Sequence, residues 1–527
     1  MIPYFYLIIS TIALSLALEP VGSSVMGMVG ILFILRFCLT IYQTTDFKKT
    51  VFGTLFFSFF LTLFAFTWVF NSIQNITGAN YFTTIILYIV YSLLSFYKIG
   101  IIFLGTYILS RYGKQNIYIF LFIYFPILFV LSDWFSPMVF PVYWGDFFRN
   151  QIFLRQIVRF GVETFGFVMV LVVVSMYWLY SNKTQSIKAK IPYFCLILFP
   201  IFLNIYFLFE PYQTESQIRL ALVQPNIPFA KREEKENFES MRSSLQNFYD
   251  IGLEAIQKSE HPLDLLVFPE SSVPFLGTLP SDHPSSTYNQ SFEEVVFTLK
   301  KNNRTNIVFN ELVWDGGSRN SLSLLTKNSD YIKRKYKQKL MPFGEYIPLG
   351  DLFPILLKIF PESSAHIPGN SGEFLKFVSN QGKEISFFGI VCYEIMFPDL
   401  IQSNLSQTTE PKFLLNLTND SWFESTRESE QHAGAGKLRA IEMGIPLVRA
   451  ALNGLTQGYD PYGRELLANP PMFQKAIFFL DLPLSRAGEP TFYRRFGAYP
   501  LRITLILILI FTFFYSNRQI STEENQK

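Results

Sequence analysis

One of the chain's three cysteines lies outside its apolar segments. Cys392 ends the run Phe387-Phe388-Gly389-Ile390-Val391 and is followed by Tyr393-Glu394 and then Ile395-Met396-Phe397-Pro398. A strand that stops at a sharp turn can present a thiol at the rim of a sheet, where a neighbouring cation holds it as thiolate, the reactive form. Two further strand-like runs end in groups that would complete such a site. Asp264-Leu265-Leu266-Val267-Phe268-Pro269-Glu270 closes on a carboxylate, and apolar surroundings raise a carboxyl pKa until it can shuttle protons near neutral pH. Tyr336-Lys337-Gln338-Lys339-Leu340-Met341-Pro342-Phe343-Gly344-Glu345-Tyr346 offers a cation. Strand alternation sends Lys337 and Lys339 to the same face, so spacing does not choose between them. A buried ammonium stabilises a thiolate and then the oxyanion of a tetrahedral intermediate. Base, cation and nucleophile are the three roles that acyl transfer through a thioester requires.

The elements that must position these groups lie in two solvents. The chain has 527 residues, half of them apolar and 17% aromatic. Residues 1–210 hold 6 acidic and 12 basic residues of the 41 and 44 in the chain, leaving 35 and 32 for the rest. Seven apolar stretches precede residue 210, at about 2–18, 25–42, 51–71, 82–110, 117–134, 160–181 and 191–209, and an eighth runs from about 499 to 515. Most approach the roughly 20 residues that span a hydrocarbon core. The fourth carries Lys98 and reads as tilted, broken or two shorter segments. No Lys or Arg precedes the first stretch, which argues for a retained helix over a cleaved signal peptide.

Loop charges predict the orientation. Lys48 and Lys49, Arg111 and Lys114, then Lys183, Lys188 and Lys190 occupy the second, fourth and sixth loops, whereas the first and third carry no Lys or Arg and the longer fifth, which reads as folded against the membrane, holds Arg149, Arg155 and Arg159. Basic residues stay on the cytoplasmic side, so seven crossings from an inside N-terminus place the following block outside the cytoplasm. The chain thus reads as a seven-helix transmembrane domain over 1–210, a catalytic domain over 211–498, and a C-terminal transmembrane helix with a short cytoplasmic tail over 499–527. Cys38 and Cys195 read as buried apolar residues of spans. Cys392, unpaired in a compartment that oxidises thiols, invites a functional explanation.

Within the block, short apolar runs at 218–223, 264–268, 306–309, 322–325, 385–391, 413–417, 447–451 and 476–480 alternate with helical patterns near 236–258, 290–301 and 428–444. Such alternation predicts an α/β layered domain with buried sheets. The segments 271–289 and 350–373 read as loops. Arg439 and Glu442 lie three apart on one side of the last helix and read as a structural pair, and His432 reads as a polar loop or helix residue. No Cys or His cluster has metal-ligand spacing, no glycine-rich phosphate cradle is seen, and a net charge of +3 gives no case for nucleic acid.

Phe268-Pro269-Glu270, the Lys337 to Tyr346 run and Cys392-Tyr393-Glu394 resemble the three signatures of the nitrilase superfamily, and more closely its membrane-bound branch, the apolipoprotein N-acyltransferases. The likeness extends to Leu222-Val223-Gln224-Pro225-Asn226-Ile227-Pro228, to Asn419-Asp420-Ser421-Trp422-Phe423, and to Leu438-Arg439-Ala440-Ile441-Glu442 with Pro446-Leu447-Val448-Arg449 and Asn453-Gly454. The resemblance implies an αββα sandwich beside about eight transmembrane helices. It implies Glu270 as general base, Lys337 rather than Lys339 as the stabilising cation, and Cys392 as nucleophile, with Glu345, Glu394 and Tyr393 supporting them. It further implies a monomeric inner-membrane enzyme without cofactor or metal, its catalytic domain periplasmic. The implied acyl donor is a phospholipid and the implied acceptor a diacylglyceryl-modified apolipoprotein. Phe268, Pro225 and Glu424 depart from the usual pattern, where tryptophan, glycine and glycine are common. Two other readings fit the residues, a membrane-tethered amidase and a non-catalytic lipoprotein-binding protein.

Overall fold

The computed structural model describes residues 2–112, 116–210, 214–229, 238–273, 276–278, 286–360, 365–370, 372–406, 408–485 and 490–524. Lys114, the end of the tail and part of the 271–289 and 350–373 segments lie outside them. The chain divides into two units, one of Met1–Thr67, Leu87–Glu210 and Phe492–Lys527, the other of Trp68–Ile86 and Pro211–Thr491.

In the first unit, length and composition decide which helices can cross a bilayer. Among the described residues six can: Ser24–Thr44, Phe47–Ala65, Tyr81–Tyr112, Ile117–Trp134, Val162–Ser181 and Ile187–Phe209. Helix Ile2–Ala17 is shorter, about 24 Å at 1.5 Å per residue, and the C-terminal helix Tyr499–Glu524 is apolar over Tyr499–Thr512. Six therefore meet the criterion where the sequence predicts eight. The fourth apolar stretch is broken, into Tyr81–Leu94 and Ile99–Tyr112. Lys98 sits in the break, buried, with its ammonium 2.7 Å from Asp133 and donating to the Val142 carbonyl. Internal pairing is how a charge is tolerated at such depth. Cys38 is buried as expected, whereas Cys195 is exposed on its helix.

Trp68–Ile86 belongs with the second unit because its polar residues find partners there. The helix Val69–Thr77 packs on the turn at 421–424, where Asn75 Nδ2 donates to the Trp422 carbonyl at 3.1 Å and the Trp68 ring meets the Phe423 ring edge-on. Trp68 Nε1 donates to Gln431 Oε1 at 3.0 Å.

The rest of the second unit is a two-sheet sandwich. Its strands are β1 (Thr214–Gln224), β2 (Leu265–Val267), β3 (Leu276–Thr278), β4 (Asn306–Trp314), β5 (Ser318–Leu325), β6 (Ile332–Tyr336), β7 (Phe374–Val378), β8 (Glu384–Val391), β9 (Phe413–Thr418), β10 (Leu447–Ala451), β11 (Gln457–Tyr459) and β12 (Ala476–Ser485). One sheet runs β12-β1-β2-β4-β5-β6 with β3 beside β4; the other runs β11-β10-β9-β8-β7. The pairs β1–β2, β2–β4, β3–β4, β8–β9 and β9–β10 are parallel, the others antiparallel. Parallel strands need both faces covered, and β2, β9 and β10 are buried throughout. On the outer face of the first sheet, Ala221, Leu266, Phe268, Ile307 and Phe309 pack with Phe248, Phe292 and Leu299 of helices Phe238–Lys258 and Ser286–Asn303. The inner faces meet closely: a Cβ on Gly389 of β8 would stand 2.7 Å from Leu322 Cδ1 of β5. Helix Glu428–Met443, buried along nearly its whole length, covers the second sheet.

Asp264, one residue before β2, fastens the two layers. Its carboxylate accepts from the Arg219 N–H of β1 at 2.8 Å and from the Asn380 N–H of the β7–β8 turn at 2.6 Å. Asp264→Ala leaves two part-buried N–H donors without their acceptor, at a cost of up to about 1–3 kcal/mol each. A clear fall in the thermal unfolding midpoint of the purified protein is expected; an unchanged midpoint contradicts this role.

Candidate active site

All three candidate groups stand just past the end of a strand. Phe268-Pro269 carries the chain from β2 to Glu270, Lys337 follows β6, and Cys392 follows β8. Cys392 opens a short 3₁₀ turn, Cys392–Met396, with φ at +48°. A non-glycine residue in the left-handed region is costly and marks an over-determined turn.

The structure brings the groups together. Lys337 Nζ lies 2.9 Å from Glu345 Oε1 and 3.6 Å from Glu270 Oε1, with all three side chains buried or nearly so. Cys392 is buried, and Glu270, Lys337 and Thr418 are near enough to act on its thiol. Lys339 follows β6 by three residues, beyond the strand's alternation, and is exposed with its ammonium 5.0 Å from the Phe397 ring centroid. Of the two lysines, only Lys337 reaches the carboxylates.

Asn320 of β5 sets the two glutamates. Its Nδ2 donates to Glu270 Oε1 at 2.9 Å and to Glu345 Oε1 at 3.0 Å, and its carbonyl accepts from the Lys337 N–H at 2.8 Å. Asn310 Nδ2 donates to Asn320 Oδ1 at 2.7 Å, which fixes the amide's direction. Glu345 also accepts from the Met341 N–H at 2.8 Å. Glu394 is a different kind of support. Its Oε1 accepts from the N–H groups of Gln338 and Lys339 at 2.6 and 3.2 Å, and its Oε2 from that of Val391 at 2.8 Å. It therefore ties the segment after Lys337 to the residue before Cys392. Tyr393 packs edge-on against Phe397.

The environment pushes the two carboxylates apart. Burial raises Glu270 above the ordinary range and Glu345 adds to this, while Lys337, Asn320 and Cys392 oppose it. Burial also acts against the charged form of Glu345, but Lys337, His366 and the hydrogen bonds hold it below the ordinary range. Burial pulls Lys337 down, yet Glu345, Glu270 and Cys392 together hold it above its usual value, so it stays charged. Burial and Glu270 raise the Cys392 thiol, with Lys337 and Thr418 opposing. The resting site is thus a neutral thiol beside a carboxylate of raised basicity, with a permanent cation at hand. Proton transfer from sulfur to Glu270 would create the nucleophile next to that cation.

Several residues escape a reading of the sequence. Asn320 is one of four polar residues that open β5 and carries no signature of its own. Lys335, buried on β6 with its ammonium 3.9 Å from Glu394 Oε2 and 4.6 Å from the Phe388 ring centroid, lies in a basic run that looks solvated. His432 lies on its helix, as one of the two readings has it, and is buried with Nε2 3.3 Å from the Cys392 carbonyl oxygen, because that helix covers the second sheet. Arg439 and Glu442 do pair, at 2.7 Å and buried. Asp420, Glu428 and His432 offer one ligand atom each within 4.8 Å of one another, and the cation among them is the Arg449 guanidinium, which bonds both oxygens of Asp420.

A chain built this way is similar to known proteins along most of its length. "Apolipoprotein N-acyltransferase 1" of Leptospira interrogans is 29% identical over 528 residues, covering 90% of each chain. "Apolipoprotein N-acyltransferase" of Rickettsia typhi is 25% identical over 426 residues, 77% of this chain and 79% of its own. A solved amidase from Nesterenkonia sp. aligns with 52% of this chain and 92% of its own at 17% identity and a TM-score of 0.34. Residues 219–489, just over half of the chain and the sandwich from within β1 through β12, match the carbon-nitrogen hydrolase model, and the chain belongs to that family.

Proposed function

We propose that this chain is a membrane-embedded acyltransferase that moves a fatty acyl group from a phospholipid to the α-amine of a diacylglyceryl-modified N-terminal cysteine of apolipoproteins. The observation that carries this reading is that the likeness to the N-acyltransferases runs through the apolar helices as well as the sandwich, over 90% of both chains. A hydrolase of small soluble amides has no need of the former. The loop lysines support a catalytic unit on the outer face of a bacterial inner membrane. One chain supplies every group invoked, which supports a monomer.

In the first half-reaction Glu270 takes the thiol proton and Cys392 sulfur attacks the ester carbonyl. Lys337 stabilises the oxyanion, and the tetrahedral intermediate collapses to a thioester as Glu270 protonates the departing lysophospholipid oxygen. In the second, the α-amine attacks the thioester carbonyl and gives its proton to Glu270; the C–S bond breaks, the amide is released, and the sulfur is reprotonated. Glu345 keeps Lys337 in place, and Glu394 holds the two strand ends in register.

Intact mass spectrometry after incubation with phospholipid tests the first half. An acyl adduct, released by hydroxylamine at neutral pH and missing from Cys392→Ala, is expected; no adduct with lipid demonstrably bound removes the proposal. Adduct formation followed only by release to water, with no transfer to a lipopeptide amine, would favour an amidase. Lys337→Met should slow adduct formation by roughly a hundredfold or more. Lys339→Met, at an exposed position, should cost less than about fivefold; equal losses would contradict the assignment of Lys337.

The rate of adduct formation should fall at low pH with a limb above the roughly 4.3 of an ordinary glutamate, because acylation needs Glu270 unprotonated and its environment holds it high. Glu345→Gln removes a negative neighbour that raises Glu270. The limb should therefore move to lower pH even as the maximal rate drops, and a limb that stays put or moves upward contradicts this account.

A further inference from the structure

The main-chain carbonyl of Cys392 faces a second buried cluster, distinct from the carboxylates and lysine around its sulfur. Two nitrogens approach that oxygen: Asn416 Nδ2 at 3.4 Å and His432 Nε2 at 3.3 Å. Asn416 lies on β9, paired in register with Ile390 of β8 on one side and Arg449 of β10 on the other. Arg449 is fully buried. It donates to Asn416 Oδ1 at 2.9 Å, to both Asp420 oxygens at 2.8 and 2.7 Å, and to the Leu455 carbonyl at 3.1 Å, and its Nη2 lies 3.3 Å from His432 Nδ1.

The chemistry of donors and acceptors fixes the polarity of this arrangement. A guanidinium only donates and a carbonyl only accepts. The Asn416 amide, held with its oxygen toward Arg449, must present its NH₂ to the Cys392 carbonyl. The His432 ring, with Nδ1 against the guanidinium, presents a lone pair there and its Nε2–H to the same carbonyl. Asp420 Oδ1 also lies 3.4 Å from His432 Nδ1, but its oxygens take shorter bonds from Thr418 and Ser429 at 3.1 and 2.6 Å and from Arg449 at 2.8 and 2.7 Å, which favours the Nε2–H form.

We infer that His432 and Asn416, both aimed by Arg449, are positioning residues for Cys392: they clamp the carbonyl of a residue in the left-handed conformation and so keep its sulfur against Glu270 and Lys337. The inference rests on Cys392 being the nucleophile of the proposed reaction. The groups facing the ring are Arg449, Asp420 and Glu428, the last 3.4 Å from Nδ1. Burial and Arg449 hold His432 below its ordinary pKa, and burial with Asp420 holds Glu428 well above its own, both of which favour the neutral forms.

The test uses the full-length protein in detergent with phospholipid, reading single-turnover acylation by intact mass. His432→Phe keeps the ring's bulk and loses the donor. It should slow acylation at saturating phospholipid by roughly a hundredfold, the scale of a misplaced reacting atom, with the half-saturating concentration and the unfolding midpoint unchanged. His432→Gln, which restores an N–H, should recover most of that loss. Wild-type rate in His432→Phe, or equal loss in both variants, overturns the inference.

Histidine-selective ¹⁵N spectra give a readout independent of activity. The signal missing from His432→Gln should report a neutral ring protonated at Nε2 between about pH 6 and 8. A doubly protonated ring or the opposite tautomer overturns the clamp, and decides the matter alone should His432→Phe not fold. An acyl adduct that persists in Cys392→Ala would instead remove the proposed nucleophile while leaving the tautomer result standing.

Discussion

Everything in the candidate site depends on one buried ammonium shared between two carboxylates. Lys337 lies 2.9 Å from Glu345 and 3.6 Å from Glu270 with almost no access to solvent. Removing such charges from water costs several kcal/mol per ion, and mutual attraction offsets this only with good geometry and further hydrogen bonds. Here the further bonds are present: Asn320 donates to both glutamates, and the Met341 N–H to the second oxygen of Glu345. The asymmetry of distance has a chemical consequence. Glu345, closer to the cation, is held ionised, while Glu270 retains enough proton affinity to act as a base. Two carboxylates of one type acquire two roles from their surroundings alone.

That cation and the thiol arrive from different sheets, since β6 belongs to one and β8 to the other. Their separation is therefore only as well defined as the seam between layers. Asp264 fastens one part of that seam through the Asn380 N–H, the contact of Gly389 with Leu322 brings β8 close to β5, and Glu394 bridges the segments after β6 and before Cys392. A carboxylate that accepts three backbone N–H groups is rigid in a way that a side-chain ion pair is not. Reacting atoms need placement within a fraction of an ångström, and these contacts are what supply it.

The sequence exposes the parts whose signal is local. Strands such as 447–451 are runs bounded by turns and read at their true limits, and Glu270 and Cys392 are legible because each follows an apolar run. What sequence hides is long-range. Spacing does not separate Lys337 from Lys339, because the strand's end at Tyr336 is set by pairing with β5. The short strands β3, β6, β7 and β11 exist through their partners rather than their composition. The helix at 69–77 begins in the last residues of an apolar stretch and runs past it, and its Asn71 and Asn75 bond to the turn at 421–424 hundreds of residues away. His432 and Arg449 reveal a role only once β9, β10 and the helix over them are assembled.

The proposed cycle has a property that follows from the site's electrostatics. With Glu345 ionised and Lys337 charged, one proton is left to be shared between Glu270 and the reacting centre. It sits on sulfur at rest, on Glu270 when the thiolate or tetrahedral oxyanion exists, and leaves with the lysophospholipid as the thioester forms. The buried site therefore carries the same net charge at every stage, which matters where an uncompensated charge costs several kcal/mol. Constancy requires that what enters and leaves be neutral, so the acceptor must arrive as a free amine. An α-amine, with a pKa near 7.7–8.0 against about 10.4 for a lysine side chain, offers that form roughly two to three orders of magnitude more often at neutral pH. Selection of an N-terminus over the lysines of the same polypeptide is thus partly a consequence of burying Lys337 between two carboxylates, before any pocket has recognised the lipid.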